Sequence, residues 1–412
     1  MVSAHEITLF VYNLTLIPVI FFSVLFFIFC ILNIFTEKKH EIKKTNIFPH
    51  VTIQVPVYND DIALRCVKAA MKLDYPKNKF DIMIVDDSTN KDIAAKLKAF
   101  ANRHKGFVSY VHRDNRQGFK PGALNEAMHL TKGEIIVVFD SDWIPQEDFL
   151  QRIVAPFEDP KVAIVQSRQG FINQHRNLVS RFAAYLLIIY HSVIMPINNK
   201  INCVFFCGTA GALRRSSFEE VGGWNKNSIT EDSELSIKLL LKGYKSKYVP
   251  METPSEVPHT FEDFIKQQMR WCYGNARVFM DNSGKILFSN KLSIKQRLMI
   301  MFITIGNIAA PIVILMTLFG LSGWFFGDPH LIAFPELVDF ASKFLYTSGF
   351  LAMGFLAFWR QKMLKEFPQL ILAAFSVSLV LAVANTIAFF KAVFGINAYW
   401  YCTPKSGQVE KK

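Results

Sequence analysis

The stretch that most constrains this chain is residues 7–35, "ITLFVYNLTLIPVIFFSVLFFIFCILNIF", which contain no charged side chain. At about 1.5 Å per helical residue the run is longer than a ~30 Å hydrocarbon layer. It is too long for a signal-peptide core and has no small-residue cleavage site, so residues 1–36 read as an uncleaved transmembrane helix. Lysines follow it in "EKKHEIKK" (Glu37 to Lys44), whereas Met1 to Glu6 is nearly neutral. Positive residues stay inside, which places residue 40 onward in the cytoplasm. Three further apolar runs, about 304–326, 339–358 and 369–390, predict about three C-terminal transmembrane helices within 297–396. The first two are separated by the acidic "GDPHLIAFPELVD", the last two by the basic "RQKMLKEF". Three spans leave the basic tail, 397–412, outside; otherwise one run only dips into the interface. Residues 176–198 are apolar but carry Arg181 and His191, the pattern of an interfacial amphipathic helix.

Hydrophobic residues make up 51% of the 412 and charged ones 19%, a membrane-protein balance that still leaves the middle of the chain soluble. The net charge of +12 fits an anionic membrane surface, because lysines cluster beside the apolar runs. No zinc-finger spacing and no aromatic ribonucleoprotein signature is present, so membrane lipid is an expected partner and nucleic acid is not. The six cysteines are dispersed, as expected of free thiols in a reducing compartment.

From 45 to 258 the chain alternates short Val- and Ile-rich runs with helical stretches. "VTIQVPVYN", "FDIMIVDDS", "FVSYVHR", "EIIVVFDSD" and "VAIVQSR" read as strands of a mostly parallel sheet covered by helices. Ligands of such sheets bind at the carboxyl ends of the strands. Tyr58-Asn59, Asp86-Asp87 and Asp140-Ser141-Asp142 sit there. Acidic groups gathered on one edge repel one another unless a positive charge joins them. A divalent cation with a phosphate ligand answers that, with Asp140 and Asp142 as its carboxylates. Lys120 in "GFKPGALNEA" adds a cation at a helix start, where backbone N–H groups also favour phosphate. No Gly-x-Gly-x-x-Gly or Walker loop accompanies these residues.

Two more clusters lie further along the chain. In "TEDSEL" Thr230 can cap a helix with Glu231 and Asp232 in its first turn, or one carboxylate can serve as a general base. "FFCGTAGALRR" (Phe205 to Arg215) is either a buried strand and turn, or small residues that admit a ligand beside aromatics. In "HTFEDFIKQQMRW", part of a second interfacial helix across 259–296, Gln267, Arg270 and Trp271 fall at i, i+3 and i+4 on one face.

Together these segments resemble a family 2, GT-A fold, membrane-embedded glycosyltransferase of the cellulose-synthase-like and mannan-synthase-like group. "QVPVYND", "VDDSTN", "GFKPGALNEAM", "FDSDWIPQEDFL", "VQSRQGFIN", "FFCGTAGALRR", "TEDSEL", "GYKSKYVP" and "EVPHTFEDFIKQQMRW" occur in order over about residues 50–280, with "TPKSG" in the tail. The resemblance implies an α/β, Rossmann-like, mostly parallel GT-A domain in the cytoplasm, flanked by transmembrane helices of a multi-pass plasma-membrane protein. It implies an inverting transfer from a UDP- or GDP-sugar to a growing β-linked polysaccharide; the alternatives are a single addition to a membrane lipid, and a non-enzymatic sensor. Asp232 would be the base with Glu231 beside it. Asp140 and Asp142 would hold Mg²⁺ or Mn²⁺. Tyr58, Asp86, Asp87, Lys120, Asp140, Gln267, Arg270 and Trp271 would bind the nucleotide sugar, and Phe206, Cys207, Gly208 and Trp271 the glycan or lipid acceptor. Asp60 stands where many relatives carry Glu. About four spans are few for a polymer channel within one chain, which points to a homo-oligomer or an export partner.

Overall fold

The computed structural model describes residues 3–36, 44–327 and 334–407. Most of the Glu37–Lys44 cluster, part of the acidic loop and the end of the tail lie outside the described residues. The first helix, α1 (Ala4–Thr36), is followed by β1 (Val51–Val57), α2 (Ala63–Ala70), β2 (Phe80–Asp86), α3 (Lys91–Arg103), β3 (Val108–His112), α4 (Phe119–Ala127), β4 (Ile135–Val138), α5 (Phe149–Val154) and β5 (Val162–Phe171). Then α6 (Leu178–Ile189) runs through a π-helical turn, Tyr190–Ile194, into α7 (Met195–Lys200). β6 (Gly211–Arg214), α8 (Arg215–Glu220), α9 (Glu231–Leu241) and β7 (Lys245–Ser255) complete the α/β part.

The strands form one seven-stranded sheet in the order β3-β2-β1-β4-β6-β5-β7. Only β6 runs antiparallel to its neighbours. This is the mostly parallel, GT-A-like sheet expected from the alternation. The central strands are buried on both faces, which is why they read as unbroken Val/Ile runs. One face packs against α2, α3 and α5 through residues such as Ile53, Val67, Leu97 and Phe149. The other packs against α4 and α9 through Leu124, Ile136, Leu213 and Leu235. The parallel register pairs Val57 with Asp86 and Asp86 with His112, so the carboxyl ends of β1, β2 and β3 finish level. The residues after each of these strands are thereby delivered to one edge.

The remaining helices are α10 (Phe261–Phe288), α11 (Ile294–Ile305), α12 (Ala309–Phe326), α13 (Phe334–Thr347), α14 (Gly349–Arg360) and α15 (Phe367–Val393). Among the described residues, four helical stretches are long and apolar enough to cross a membrane: Ala4–Phe35, Leu178–Lys200, Ile294–Phe326 and Leu364–Val393. The α13–α14 pair, bent by 59°, would be a fifth if taken as one. Leu178–Lys200 passes that test by composition, yet 67% of its apolar window is buried within the protein. It packs among α10, α14 and α15 rather than standing free. Both ends of α15 are tied to other helices, α6 and α10. Tyr185 donates to Glu366 just before it (2.7 Å), and Arg277 donates to the Ala392 carbonyl near its end (3.4 Å). Residues 400–407 lie against the α/β domain.

Gly349 marks the contact between α1 and α14. A Cβ there would lie 2.2 Å from the Ser23 carbonyl oxygen, and the Gly349 N–H donates to the Ser23 hydroxyl (2.8 Å). We expect Gly349→Leu to force these helices apart at a cost of about 1–3 kcal/mol, read as a lower melting temperature of the detergent-solubilised protein.

Candidate active site

The level strand ends open into a cavity of about 470 Å³. Tyr58, Asp87, Lys120, Asp140, Asp142, Cys207, Gly208, Glu231, Asp232, Gln267, Arg270 and Trp271 all line it. Two expected residues do not. Asp86 is fully buried behind the wall, where its carboxylate accepts from the Tyr110 hydroxyl (2.7 Å), from the Ser88 N–H (3.0 Å) and lies 2.9 Å from His112 Nδ1. Phe206 is turned into the core against Trp224, with ring centroids 5.8 Å apart. Alternation along the chain explains both, since Asp87 and Cys207, their immediate neighbours, face the cavity instead.

Each acidic strand end carries a cation. Arg113, just after β3, makes a two-pronged contact with Asp87: Nε at 2.7 Å and Nη2 at 2.5 Å. Both side chains are nearly sealed from solvent. Lys120 Nζ lies 2.6 Å from Asp140 and donates to the Gly208 carbonyl (2.9 Å). Burial opposes the Lys120 charge, but Asp140, Glu231 and Asp232 more than offset it and hold its pKa above the usual lysine value. The left-handed backbone at Gly118 (φ 73°) and Phe119 (φ 48°) turns the chain sharply into α4. A Cβ at Gly118 would meet Lys226 Cβ at 2.6 Å, so this entry requires glycine. Asp142 is fully buried; its Oδ2 accepts the Glu256 N–H (2.8 Å) and its Oδ1 faces Lys405 Nζ (2.9 Å).

Glu231 and Asp232 open α9. Thr230 occupies the N-cap position, but its hydroxyl makes no capping bond; the expected cap is absent because Thr230 is wedged against Gly274 of α10. Burial, followed by the charge of Asp232, pushes Glu231 up to about 7, while Lys120 and Arg270 pull the other way. Burial likewise raises Asp232, whose Oδ1 accepts the Ser233 N–H (2.8 Å). α10 begins at the N-cap of Thr260, which accepts the Asp263 N–H (3.1 Å). Its Gln267, Arg270 and Trp271 share the cavity face, as their spacing predicts. Arg270 donates to the Ile229 carbonyl (3.3 Å), while its Nε is buried without a hydrogen-bond partner. That guanidinium has donors left for an anion.

Among the described residues no group of three or more His, Cys, Asp or Glu could by itself hold a metal ion. The chemistry of Asp140 and Asp142 still fits Mg²⁺ or Mn²⁺, which take one or two carboxylates and complete their shell with phosphate oxygens and water. Asp142 Oδ1 is buried with no hydrogen-bond donor beyond the Lys405 ammonium. Several lining residues were not singled out from the sequence. Arg116 could have been, since it follows β3 as Asp87 follows β2; Arg113, which holds Asp87 from outside the cavity wall, has the same sequence signal. Arg116 lies flat over the Tyr58 ring, 3.3 Å from its centroid. Glu256 and Thr403 to Lys405 lie in segments that carry the resemblance, "EVPHTFEDFIKQQMRW" and "TPKSG", but were given no site role, because only tertiary folding brings the tail to the cavity.

Residues 135–394 match the glycosyl transferase family group 2. The chain belongs to this family. Among curated group 2 relatives, glucomannan 4-beta-mannosyltransferase 1 of Oryza sativa subsp. japonica is 34% identical over 283 residues, 65% of this chain and 54% of that protein. Glucomannan 4-beta-mannosyltransferase 7 of Arabidopsis thaliana is 33% identical over 258 residues, 60% and 46% of the two chains. The chain thus spans about half the length of the curated relatives it matches. The mannosyltransferase PcManGT from Pyrobaculum calidifontis, solved in complex with GDP-Man and Mn²⁺, shares the fold with a TM-score of 0.65 at 17% identity, over 95% of this chain and 99% of that one.

The Arg113–Asp87 pair supplies a test of the site's construction. Removing one partner strands the other charge in a sealed setting, so we expect Arg113→Leu to cost about 3–5 kcal/mol, measured by chemical denaturation.

Proposed function

We propose that this protein is an inverting, membrane-embedded glycosyltransferase that moves a hexose from a UDP- or GDP-sugar to a growing β-linked polysaccharide. The observation that carries this reading is the convergence of three groups on one cavity: the Glu231–Asp232 pair, the Asp140–Asp142 pair, and the Gln267, Arg270 and Trp271 face of α10. The similarity to plant glucomannan mannosyltransferases supports a mannan-like product, and GDP-mannose stands beside UDP-sugars as a donor.

In this mechanism Tyr58, Asp87 and Arg116 line the nucleoside end. Lys120 and Arg270 would flank the diphosphate, and Asp140 and Asp142 would hold the cation. A bound Mg²⁺ or Mn²⁺ supplies charge stabilisation to the departing diphosphate. Arg270 contributes the same kind of stabilisation from the opposite wall, with a planar fork suited to phosphate. Asp232 accepts the proton of the acceptor hydroxyl as that oxygen attacks the anomeric carbon in line. Trp271, Cys207 and Gly208 bound the acceptor end. A Cβ at Gly208 (φ 77°) would sit 3.0 Å from Asp232 Oδ2, so glycine keeps the space beside the base open. The long apolar helices support a membrane protein, and this reading puts the site on the cytoplasmic face of a multi-pass plasma-membrane protein.

A second reading rests on the apolar wall. Phe171, Leu187 and Val257 line the cavity and belong to the cluster packed against α14 and α15. Such a wall suits a lipid acceptor receiving one sugar. Product sizing separates the two: incubation with nucleotide sugars and Mn²⁺ is expected to yield oligomeric glycan, and only monoglycosylated lipid would overturn the polymer reading.

Asp232→Asn is expected to lower turnover by at least about 10²-fold, with nucleotide binding by calorimetry retained. Undiminished turnover would exclude Asp232 as the base. The raised pKa of the carboxylate pair fixes the pH profile. The base works deprotonated, and burial raises Asp232 above the ordinary aspartate value, so the rate rises with pH through that raised value and is flat above it. For stability the sign is opposite. The folded state holds the Glu231 proton more tightly than the unfolded chain, whose value is near 4.5, so wild-type stability falls as pH rises towards 7. Glu231→Gln is therefore expected to melt above the wild type at pH 8 and to lose that advantage as pH falls towards 4.5.

A further inference from the structure

From Asn282 to Gly327 the sequence holds no Asp or Glu, and its cations, Lys285, Lys291, Lys295 and Arg297, all stand near its start. They sit on the elbow where α10 hands over to α11. Asp281, the last acid before the elbow, is already paired with Arg277 (2.6 Å).

The elbow is a fixed turn. Ile286 and Leu292 are buried in the core shared with α1, α6 and α14. Ser293 caps α11 reciprocally with Gln296: the Ser293 N–H donates to Gln296 Oε1 (2.9 Å), and the Gln296 N–H donates to the Ser293 hydroxyl (3.3 Å). The Gln296 amide also donates to the Asn202 carbonyl (3.2 Å). Arg297 folds back to donate to the Ser289 carbonyl, while its Nε is buried without a hydrogen-bond partner. Between these anchors the side chains point outward. Phe288 is 87% exposed, Ile294 71% and Leu298 62%, and Lys285, Lys291 and Lys295 are exposed beside them.

Large apolar groups gathered this openly mark a contact with something other than water. The elbow opens Ile294–Phe326, a stretch long and apolar enough to cross a membrane, so Phe288, Ile294 and Leu298 continue the surface of that stretch. Lysines with apolar stems suit the boundary between acyl chains and headgroups. Cations with no acid among their sequence neighbours suit an anionic lipid surface. Lys291 Cδ lies 3.7 Å from where a Cβ on Gly243 would stand, so the elbow also touches the turn between α9 and β7.

We propose that the α10–α11 elbow is a seat for anionic phospholipid headgroups. Arg297 offers its unused Nε to the phosphate, with a planar fork suited to it. Lys285, Lys291 and Lys295 supply the attraction for net negative charge. Phe288, Ile294 and Leu298 lie among the acyl chains. Phosphatidylcholine carries the same phosphate with a compensating cation, so preference for an anionic lipid rests on the lysines. The seat is independent of which nucleotide sugar the cavity takes. It holds the far end of α10, the helix that carries Gln267, Arg270 and Trp271.

The test uses the full chain in detergent, titrated with phosphatidylglycerol or phosphatidylcholine. Native mass spectrometry reads bound lipid and oligomeric state together. The wild type is expected to prefer phosphatidylglycerol. Lys285→Gln, Lys291→Gln and Lys295→Gln combined are expected to weaken phosphatidylglycerol by at least about tenfold, with phosphatidylcholine unchanged. Arg at the same three positions is expected to keep the preference. Lys72→Gln, Lys98→Gln and Lys105→Gln combined, exposed positions of the α/β domain, are expected to keep it as well. Inorganic phosphate in large excess is expected to displace no lipid. Equal binding of the two lipids by the wild type overturns the proposal, as does a preference that survives the elbow substitutions. Equal losses in the elbow and α/β variants overturn it too, because net charge alone would then explain them. Displacement by inorganic phosphate makes the elbow an ion site rather than a lipid seat. A dimer that Phe288→Ser separates, with lipid binding unchanged, gives this face to a second copy of the chain and also overturns it.

Discussion

Placing several carboxylates at the ends of a buried sheet is the electrostatic problem that the rest of this protein is arranged around. The level strand register delivers Asp87, Asp140 and Asp142 to one cavity, where like charges repel unless cations join them. Arg113, Lys120 and Lys405 each answer one of them. Asp86 is satisfied by Tyr110, Ser88 and His112 and drops out of the cavity wall. Glu231 and Asp232 are treated differently. Among the described residues no salt bridge reaches either, so burial raises both pKa values while Lys120 and Arg270 act only from a distance. The carboxylates paired with cations are thereby separated from the pair that burial chiefly perturbs.

Much of this was legible in the sequence because it is local. Strand runs ending in Tyr58-Asn59, Asp86-Asp87 and Asp140-Ser141-Asp142 fix a strand end and a polar group in the same few residues. The i, i+3, i+4 spacing of Gln267, Arg270 and Trp271 fixes a helix face. The features that were not legible depend on contacts between distant segments. Nothing local says that β6 would insert antiparallel between β4 and β5, or that Phe206 would turn inward while Cys207 turned outward. Thr230 has the composition of an N-cap, yet packing against Gly274 takes its hydroxyl away from that use. The Lys405–Asp142 pair spans most of the chain's length, and the tail's "TPKSG" carries no periodicity that would announce it.

The apolar C-terminal third illustrates the same limit in another form. Length and hydropathy qualify residues 364–393 as a span, and they qualify 178–200 equally. Hydropathy measures what a helix tolerates rather than where it sits. The contacts of Glu366 with Tyr185 and of Ala392 with Arg277 hold both ends of α15 beside α6 and α10. The chain that leaves α15 then reaches the cavity, where Lys405 meets Asp142.

α10 is where these two halves of the molecule become one device. On one side Cys272, Tyr273 and Ala276 pack into Ala388, Phe389 and Ala392 of α15. On the other, three points grip the start of α9: Arg270 donates to the Ile229 carbonyl, Gly274 receives Thr230, and Asn275 accepts the Ser233 hydroxyl (2.7 Å). A Cβ on Gly274 would stand 2.3 Å from Thr230 Cγ2, so the approach is as close as two backbones and one methyl allow. The turn that carries Glu231 and Asp232 is therefore positioned by the helix that carries Gln267, Arg270 and Trp271. The two motifs belong together because they are two surfaces of one packed joint. Any shift of α15 against α10 reaches the carboxylate pair through that joint, without passing through the sheet.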